Sequence, residues 1–128
     1  MGGGLPEIPV VSIISDNDSA RWAVATVVRS AGFRVEIFAS AEKFILSDQM
    51  PGTACLVVDV QLAGMSGLQL QSHLAAAGRH IPMVFVVGPA DERARALAIE
   101  LGAVNVLDKS FGDRALLTEI RSILRPKN

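Results

Sequence analysis

Short apolar runs alternate with longer amphipathic segments five times along this chain of 128 residues, and this repeat constrains the fold more than any other feature. The short runs are rich in β-branched residues and are bounded by Gly, Pro, Asp or Ser, a pattern typical of strands. They occupy residues 10–14, 34–38, 54–58, 83–87 and 105–107. Several lack polar alternation, which favours strands that are covered on both faces of a parallel sheet.

The longer segments carry apolar residues three and four positions apart, the spacing of one face of a helix. The predicted helices cover residues 18–31, 40–47, 66–77, 90–101 and 113–124. Gly32 is placed to end the first helix, and Ser40 is a good N-cap for the second. Because crossovers between parallel strands are right-handed, the repeat predicts one α/β domain with helices on both faces of a five-stranded parallel sheet. We predict the strand order 2-1-3-4-5.

The length fits one domain of ordinary size. We predict a flexible lead-in over residues 1–9, the folded domain over 10–124, and a tail or the start of a linker over 125–128. Half of the residues are hydrophobic, which is enough for a full core.

Composition and charge exclude several classes of protein. No apolar run approaches the ~18 residues of a membrane-spanning helix, and the amino-terminal residues lack the pattern of a signal peptide. The formal net charge of −1 gives no indication of nucleic acid binding. The single cysteine, Cys55, excludes an internal disulfide. These features are typical of a small soluble cytoplasmic domain.

Charged residues follow three of the predicted strands at the point where each strand ends. Asp59 comes directly after a run of apolar residues in "LVVDV", the first strand ends in "SDND" at 15–18, and the fifth ends in "DKS" at 108–110. In open parallel sheets the ligand site lies at the carboxyl ends of the strands. Acidic residues and one lysine are therefore expected to converge on a single edge.

Asp16 and Asp59 at that edge would repel each other, and a divalent cation with oxygen ligands, magnesium above all, relieves such repulsion. Lys109 would add a positive charge, so that the edge suits the transfer of a phosphoryl group to a nucleophilic carboxylate. Each residue also has a simpler interpretation. The acids could be helix caps or turn formers, and Lys109 could be a solvated surface lysine.

The chain resembles the receiver domain of bacterial two-component response regulators over residues 10–124, and it is most similar to receivers that precede LuxR-type DNA-binding domains. In order, the stretches that carry the resemblance are "VSIISDND", "GFRVEIFASAEKFI", "CLVVDVQLAGMSGLQL", "IPMVFVVG" and "ELGAVNVLDKSF". The resemblance implies a doubly wound (βα)5 flavodoxin-like fold.

The resemblance also implies roles for individual residues. Asp59 would be the phospho-acceptor, and Lys109 would contact the phosphoryl group. Asp16 would bind magnesium directly together with Asp59 and the main-chain carbonyl of Gln61. A histidine kinase or phosphotransfer protein would be the partner, and the domain would regulate an output by protein–protein contact, without being an enzyme. A homodimer is a further expectation, and DNA would be contacted only through a domain outside these residues.

Four positions depart from the family pattern. Ser15 replaces the first of two adjacent acids, which predicts weak magnesium binding. Val87 replaces the Ser or Thr that binds the phosphoryl group, and Val106 replaces the aromatic residue that moves with it. Ser110 stands where proline usually follows Lys109 in a cis bond, and a non-proline cis bond costs about 2.5–4 kcal/mol.

These departures leave an alternative open, a divergent pseudo-receiver that acts as an interaction module without phosphorylation. An enzyme of the same sheet class is a weaker alternative, because no glycine-rich phosphate loop follows the first strand. Trp22 lies off the apolar stripe of the first helix, which predicts either a contact with a partner or a side chain folded over the start of the core.

Overall fold

The computed structural model describes residues 8–48, 50–60, 62–87, 92–100, 106–108 and 112–124. In this part of the chain, five strands and five helices alternate as predicted, with ends within two residues of the predicted ones. They are β1 (Val10–Ile14), α1 (Asp18–Ser30), β2 (Arg34–Phe38), α2 (Ala41–Ile45), β3 (Thr53–Asp59), α3 (Gly67–Ala76), β4 (Met83–Val87), α4 (Glu92–Glu100), β5 (Val106–Asp108) and α5 (Gly112–Leu124).

The five strands form one parallel sheet in the order β2-β1-β3-β4-β5, which confirms the predicted topology. In the centre of the sheet Ile14 of β1 pairs with Val58 of β3, and Asp59 pairs with Val86 of β4. The chain runs outward from β1 to β2 and then returns to the other side of β1 to form β3. The carboxyl ends of β1 and β3 therefore flank the point where the strand order reverses, which is the usual ligand position in such sheets.

Two apolar clusters cover the two faces of the sheet. The α2–α3 cluster consists of Ile14, Ala41, Phe44, Leu56, Val58, Val60, Leu70, Leu74, Phe85 and Val87. The α1–α5 cluster consists of Val11, Ile13, Ala25, Val28, Cys55, Val57, Val84, Leu116 and Ile120. Successive residues of β3 alternate between the clusters, which explains why its apolar run is unbroken in the sequence.

Buried polar groups are few and are paired. Ser12 on β1 and Thr53 on β3 share a hydrogen bond of 2.7 Å between their hydroxyls. Within the described ranges, no buried side-chain nitrogen or oxygen lacks a partner. Cys55 is fully buried, and burial raises the pKa of its thiol to about 12. The cysteine therefore packs as a small hydrophobic residue.

Side-chain caps fix where three of the helices begin. Asn17 Oδ1 accepts a hydrogen bond from the Ala20 amide, and the Ser40 hydroxyl accepts one from the Lys43 amide. Ser66 lies just before α3 and forms a capping box with Gln69. Ser40 is thus the N-cap of α2, as predicted, whereas Ser66, predicted to be the first residue of the third helix, precedes α3 by one residue. No helix in the described ranges is long and apolar enough to cross a bilayer.

Candidate functional site

Asp59 is the last residue of β3 and lies at the carboxyl edge of the sheet, half-buried. It lines a small cavity of about 30 Å³ together with Ile13, Ile14, Ser15, Ala20, Val24, Val57 and Val86. The strand pairing continues through Asp59 to Val86, so the backbone that carries the carboxylate is held by the sheet itself. A side chain on such a rigid element has a well-defined position for chemistry.

Asp16 lies on the neighbouring loop, two residues beyond the end of β1. Because Ile14 pairs with Val58, the residues that follow each of them come next along the same edge. Asp16 is exposed, whereas Ser15 is buried and lines the same small cavity as Asp59. The structure thus places the two predicted carboxylates on adjacent chain segments at one edge.

Arg21 holds the loop that carries Asp16. Its guanidinium donates a hydrogen bond of 2.7 Å from Nη1 to the carbonyl of Ser15, and it also binds the Asp18 carboxylate. The Arg21 side chain is only 12% exposed. Sequence reasoning missed this residue. The available signal was its position three residues after Asp18, a spacing at which opposite charges meet on a helix.

Two carboxylates bind the β3–α3 loop, residues 62–66, which follows Asp59 after two residues. The Ala63 amide donates to Asp16 Oδ2 at 2.9 Å, and the Met65 amide donates to Glu42 Oε2 at the same distance. The hydrogen bond from Met65 holds the pKa of Glu42 below its ordinary value. Glu42 was not among the predicted site residues, and no pattern in the sequence relates it to a residue 23 positions away.

Gly64 and Gly67 serve different purposes. Gly64 has a φ of +74°, a left-handed backbone conformation that favours glycine. Gly67 has no positive φ, and glycine is favoured there because neighbouring atoms approach its Cα closely. A Cβ atom there would lie 3.0 Å from the Asp59 carbonyl oxygen, 3.0 Å from Val58 Cγ1 and 3.3 Å from Phe85 Cε1. At Gly67 the lack of space, and not the backbone conformation, favours glycine.

Replacing Gly67 with alanine is expected to lower the free energy of unfolding by about 1–3 kcal/mol, because the added methyl group overpacks buried neighbours. The structural change should reach the backbone of Asp59, because the added methyl group would touch the Asp59 carbonyl. Urea denaturation measures the stability, and the Asp59 amide resonance reports the local change. Gly78, where a Cβ would meet nothing within 4 Å, is the matched site for comparison, although its φ of +75° adds backbone strain. An unchanged Asp59 resonance in the Gly67 variant would contradict the expected contact.

The remaining predicted positions either lie outside the described residues or pack in or against the α2–α3 cluster. Gln61 and Lys109 lie outside the described residues, as does the bond between Lys109 and Ser110. Val87 is 2% exposed and belongs to the α2–α3 cluster, and Val106 packs against the same cluster while half-buried.

Trp22 lies on the outer face of α1 and is 56% exposed, with the Arg29 guanidinium 5.9 Å from the centre of its ring. Of the two interpretations of this residue, a side chain folded over the start of the core does not fit such exposure.

The donor set at the edge fits magnesium. The protein donors form a pair and not a larger cluster, since the described part of the chain has no group of three or more His, Cys, Asp or Glu residues that could hold a metal ion. Asp16 and Asp59 supply hard carboxylate oxygens, and magnesium is usually bound by one or two carboxylates while it keeps several waters. A site of this kind needs no larger protein cage.

Comparisons with known proteins agree with this geometry. The family model described as the response regulator receiver domain matches residues 11–121. Nodulation protein W of Bradyrhizobium diazoefficiens is 38% identical over 111 residues, which are 87% of this chain and 49% of that protein. The transcriptional regulatory protein FixJ of Azorhizobium caulinodans is 33% identical over 120 residues, 94% of this chain and 57% of that protein. The chain thus spans about half the length of these curated relatives.

Solved structures show the same fold. The crystal structure of FixJ-N matches with a TM-score of 0.82 and 26% sequence identity, covering 96% of this chain and 99% of that one. The sheet order, the acidic residues at its carboxyl edge and the family match over residues 11–121 lead to one conclusion. The chain belongs to the family of response regulator receiver domains.

Proposed function

We propose that this domain, over residues 10–124, accepts a phosphoryl group on Asp59 from a histidine kinase or a phosphotransfer protein. The observation that carries the proposal is the position of Asp59, at the end of a central strand and beside the loop that bears Asp16. A carboxylate held at a sheet edge, with a second carboxylate on the adjacent segment, suits a metal-assisted nucleophile.

In the proposed step, a carboxylate oxygen of Asp59 forms a bond to phosphorus while the phosphorus–nitrogen bond of the donor's phosphohistidine breaks. The electron pair of that bond stays on the imidazole nitrogen, and the product is an acyl phosphate on Asp59. Lys109 contacts the phosphoryl oxygens and offsets their negative charge. The backbone of β3 keeps Asp59 in place throughout.

Magnesium would be held by Asp16, Asp59 and the main-chain carbonyl of Gln61, and when bound it neutralises charge on the phosphoryl oxygens. Ser15 supplies no negative charge, and its hydroxyl accepts a hydrogen bond from the Asn17 amide. Fewer charges around the cation lower its affinity, so we infer weak magnesium binding.

Incubation with a small phosphodonor such as phosphoramidate and with magnesium is expected to add one phosphoryl group to Asp59, detected by intact mass and peptide mapping. The label should be absent in Asp59→Asn, because an amide is not a nucleophile of this kind. Asp48→Asn, which removes an exposed acid after α2, is the matched control and should label like the wild type. No label on the wild type, or a label that persists in Asp59→Asn, would refute the proposal.

The domain is proposed to be cytoplasmic and to act by protein contact and not as an enzyme.

Exposed Trp22 on α1 is proposed to contact a partner, since large aromatic side chains dominate protein interfaces. A homodimer is also proposed. Because relatives are about twice as long and FixJ is described as a transcriptional regulatory protein, contact with DNA would require a domain outside these residues.

A further inference from the structure

Glu42 lies in the first turn of α2, next to the core residue Ala41, yet its carboxylate reaches the β3–α3 loop. Oε2 accepts the Met65 amide at 2.9 Å, and a Cβ atom on Gly64 would lie only 2.6 Å from the same oxygen. The carboxylate therefore packs directly over the backbone of the loop at the point where the loop turns.

Asp16 contacts the same loop from the end of β1, through the Ala63 amide. Two carboxylates from different elements thus bind alternate amides of one short loop. A hydrogen bond from a backbone amide to a carboxylate is roughly twice as strong as one between neutral groups. The loop ends at α3, where the Gly67 amide donates to the Val60 carbonyl at 3.3 Å.

We propose that Glu42 is a positioning residue for the acceptor site, which fixes the β3–α3 loop so that Asp16 can bind the metal ion. The inference rests on the proposed function, in which Asp16 and Asp59 would hold magnesium. Asp16 then has two tasks, to hold Ala63 and to bind the cation. Glu42 supplies a second hydrogen bond to the loop and does not itself bind the metal ion.

A role in α2 alone is the competing explanation, since an acid in the first turn of a helix interacts favourably with the helix dipole. The cap of α2 is provided by Ser40, which accepts the Lys43 amide. Glu42→Gln separates the two roles, because glutamine loses the charge that favours the helix but keeps an oxygen that can accept the Met65 amide.

The test compares Glu42→Ala, Glu42→Gln and Lys43→Ala, the last being an exposed neighbour on the same helix. The first readout is the hydrogen-exchange rate of the Met65 amide without magnesium, and the second is magnesium affinity from amide shifts during a titration. For Glu42→Ala we expect exchange about ten times faster and magnesium affinity about ten times weaker, the lower end of the effect of removing a residue that supports metal ligands.

Glu42→Gln should recover about half of each loss on a logarithmic scale, because its neutral oxygen accepts a weaker hydrogen bond, and Lys43→Ala should match the wild type. The inference is wrong if Glu42→Ala leaves both readouts unchanged, if Lys43→Ala reproduces its effects, or if Glu42→Gln is as impaired as Glu42→Ala.

Failure of the inference can be told apart from failure of the proposed function. If Asp59 takes no phosphoryl group in the wild type, the function is wrong, while the Met65 exchange rate still tests the hydrogen bond to Glu42. If the wild type is labelled at Asp59 and Glu42→Ala equals it in both readouts, the function stands and the positioning role is wrong.

Discussion

Replacing Phe44 with alanine is expected to lower the free energy of unfolding by about 3–5 kcal/mol, the usual cost of truncating a buried phenylalanine. Phe44 is fully buried in the α2–α3 cluster and is one of the two buried residues of the five-residue helix α2. Its ring meets that of Phe38 edge to face, with centroids 5.2 Å apart. A helix of five residues has little stability of its own, so packing must hold it in place.

Since small domains are stable by only about 5–15 kcal/mol, this single change should remove a large share of the total. Urea denaturation followed by circular dichroism measures it. Lys43→Ala is the control, because a surface substitution on the same helix usually changes stability by less than about 0.5 kcal/mol. A loss below about 1 kcal/mol in Phe44→Ala would show that α2 is not held by this side chain.

A phosphoryl mimic such as beryllofluoride, once bound at Asp59, is expected to change little in α4 and β5 of the wild-type protein. Val87 lies at the end of β4, buried and with no hydrogen-bond donor in its side chain. A hydrogen bond to a charged group contributes about 1.5–3 kcal/mol, and the wild type forgoes that amount in the phosphorylated state. A population shift requires contacts that differ between the two states, and here the main one is absent.

Installing both family residues, as Val87→Thr with Val106→Tyr, should restore a large response. A threonine hydroxyl in the apolar surroundings of position 87 is unfavourable until a phosphoryl oxygen accepts its hydrogen bond, so the mimic then favours one state strongly. Val106 is half-buried against the same cluster. We expect a tyrosine at this position to move when the packing around it changes. Each single substitution should do less, because the two positions act together.

Backbone amide chemical shifts of Arg95, Val106 and Leu107, recorded with and without the mimic, test both expectations. The shift of Val60, next to Asp59, serves as the control that the mimic has bound. Large wild-type shifts at Arg95 and Val106 would mean that other residues carry the switch. A double variant that responds no more than the wild type would mean that these two positions do not limit it.

The apolar pattern of the sequence was sufficient to predict the fold class. Unbroken runs such as residues 54–58 indicate strands buried on both faces, and the alternation with helical segments indicates a parallel sheet covered by helices. Because parallel strands end at a common edge, the order of the chain also predicted that Asp16 and Asp59 lie on adjacent segments, as they do. The ends of elements were less certain. Asp59 proved to belong to β3, and Ser66 proved to be a cap outside α3.

Contacts between distant parts of the chain were decided by the tertiary structure alone. The Glu42–Met65 and Asp16–Ala63 hydrogen bonds join residues 23 and 47 positions apart, and each depends on how a loop lies over the edge of the sheet. Likewise, Gly67 is required because the Asp59 carbonyl approaches it, which no turn pattern reveals. The spacing of apolar residues determines which segments form helices and which form strands, because it determines which face of each segment can be buried. The carboxylates of Asp16 and Glu42 accept hydrogen bonds from backbone amides, which every residue except proline carries, so the sequence does not show which amide meets which carboxylate.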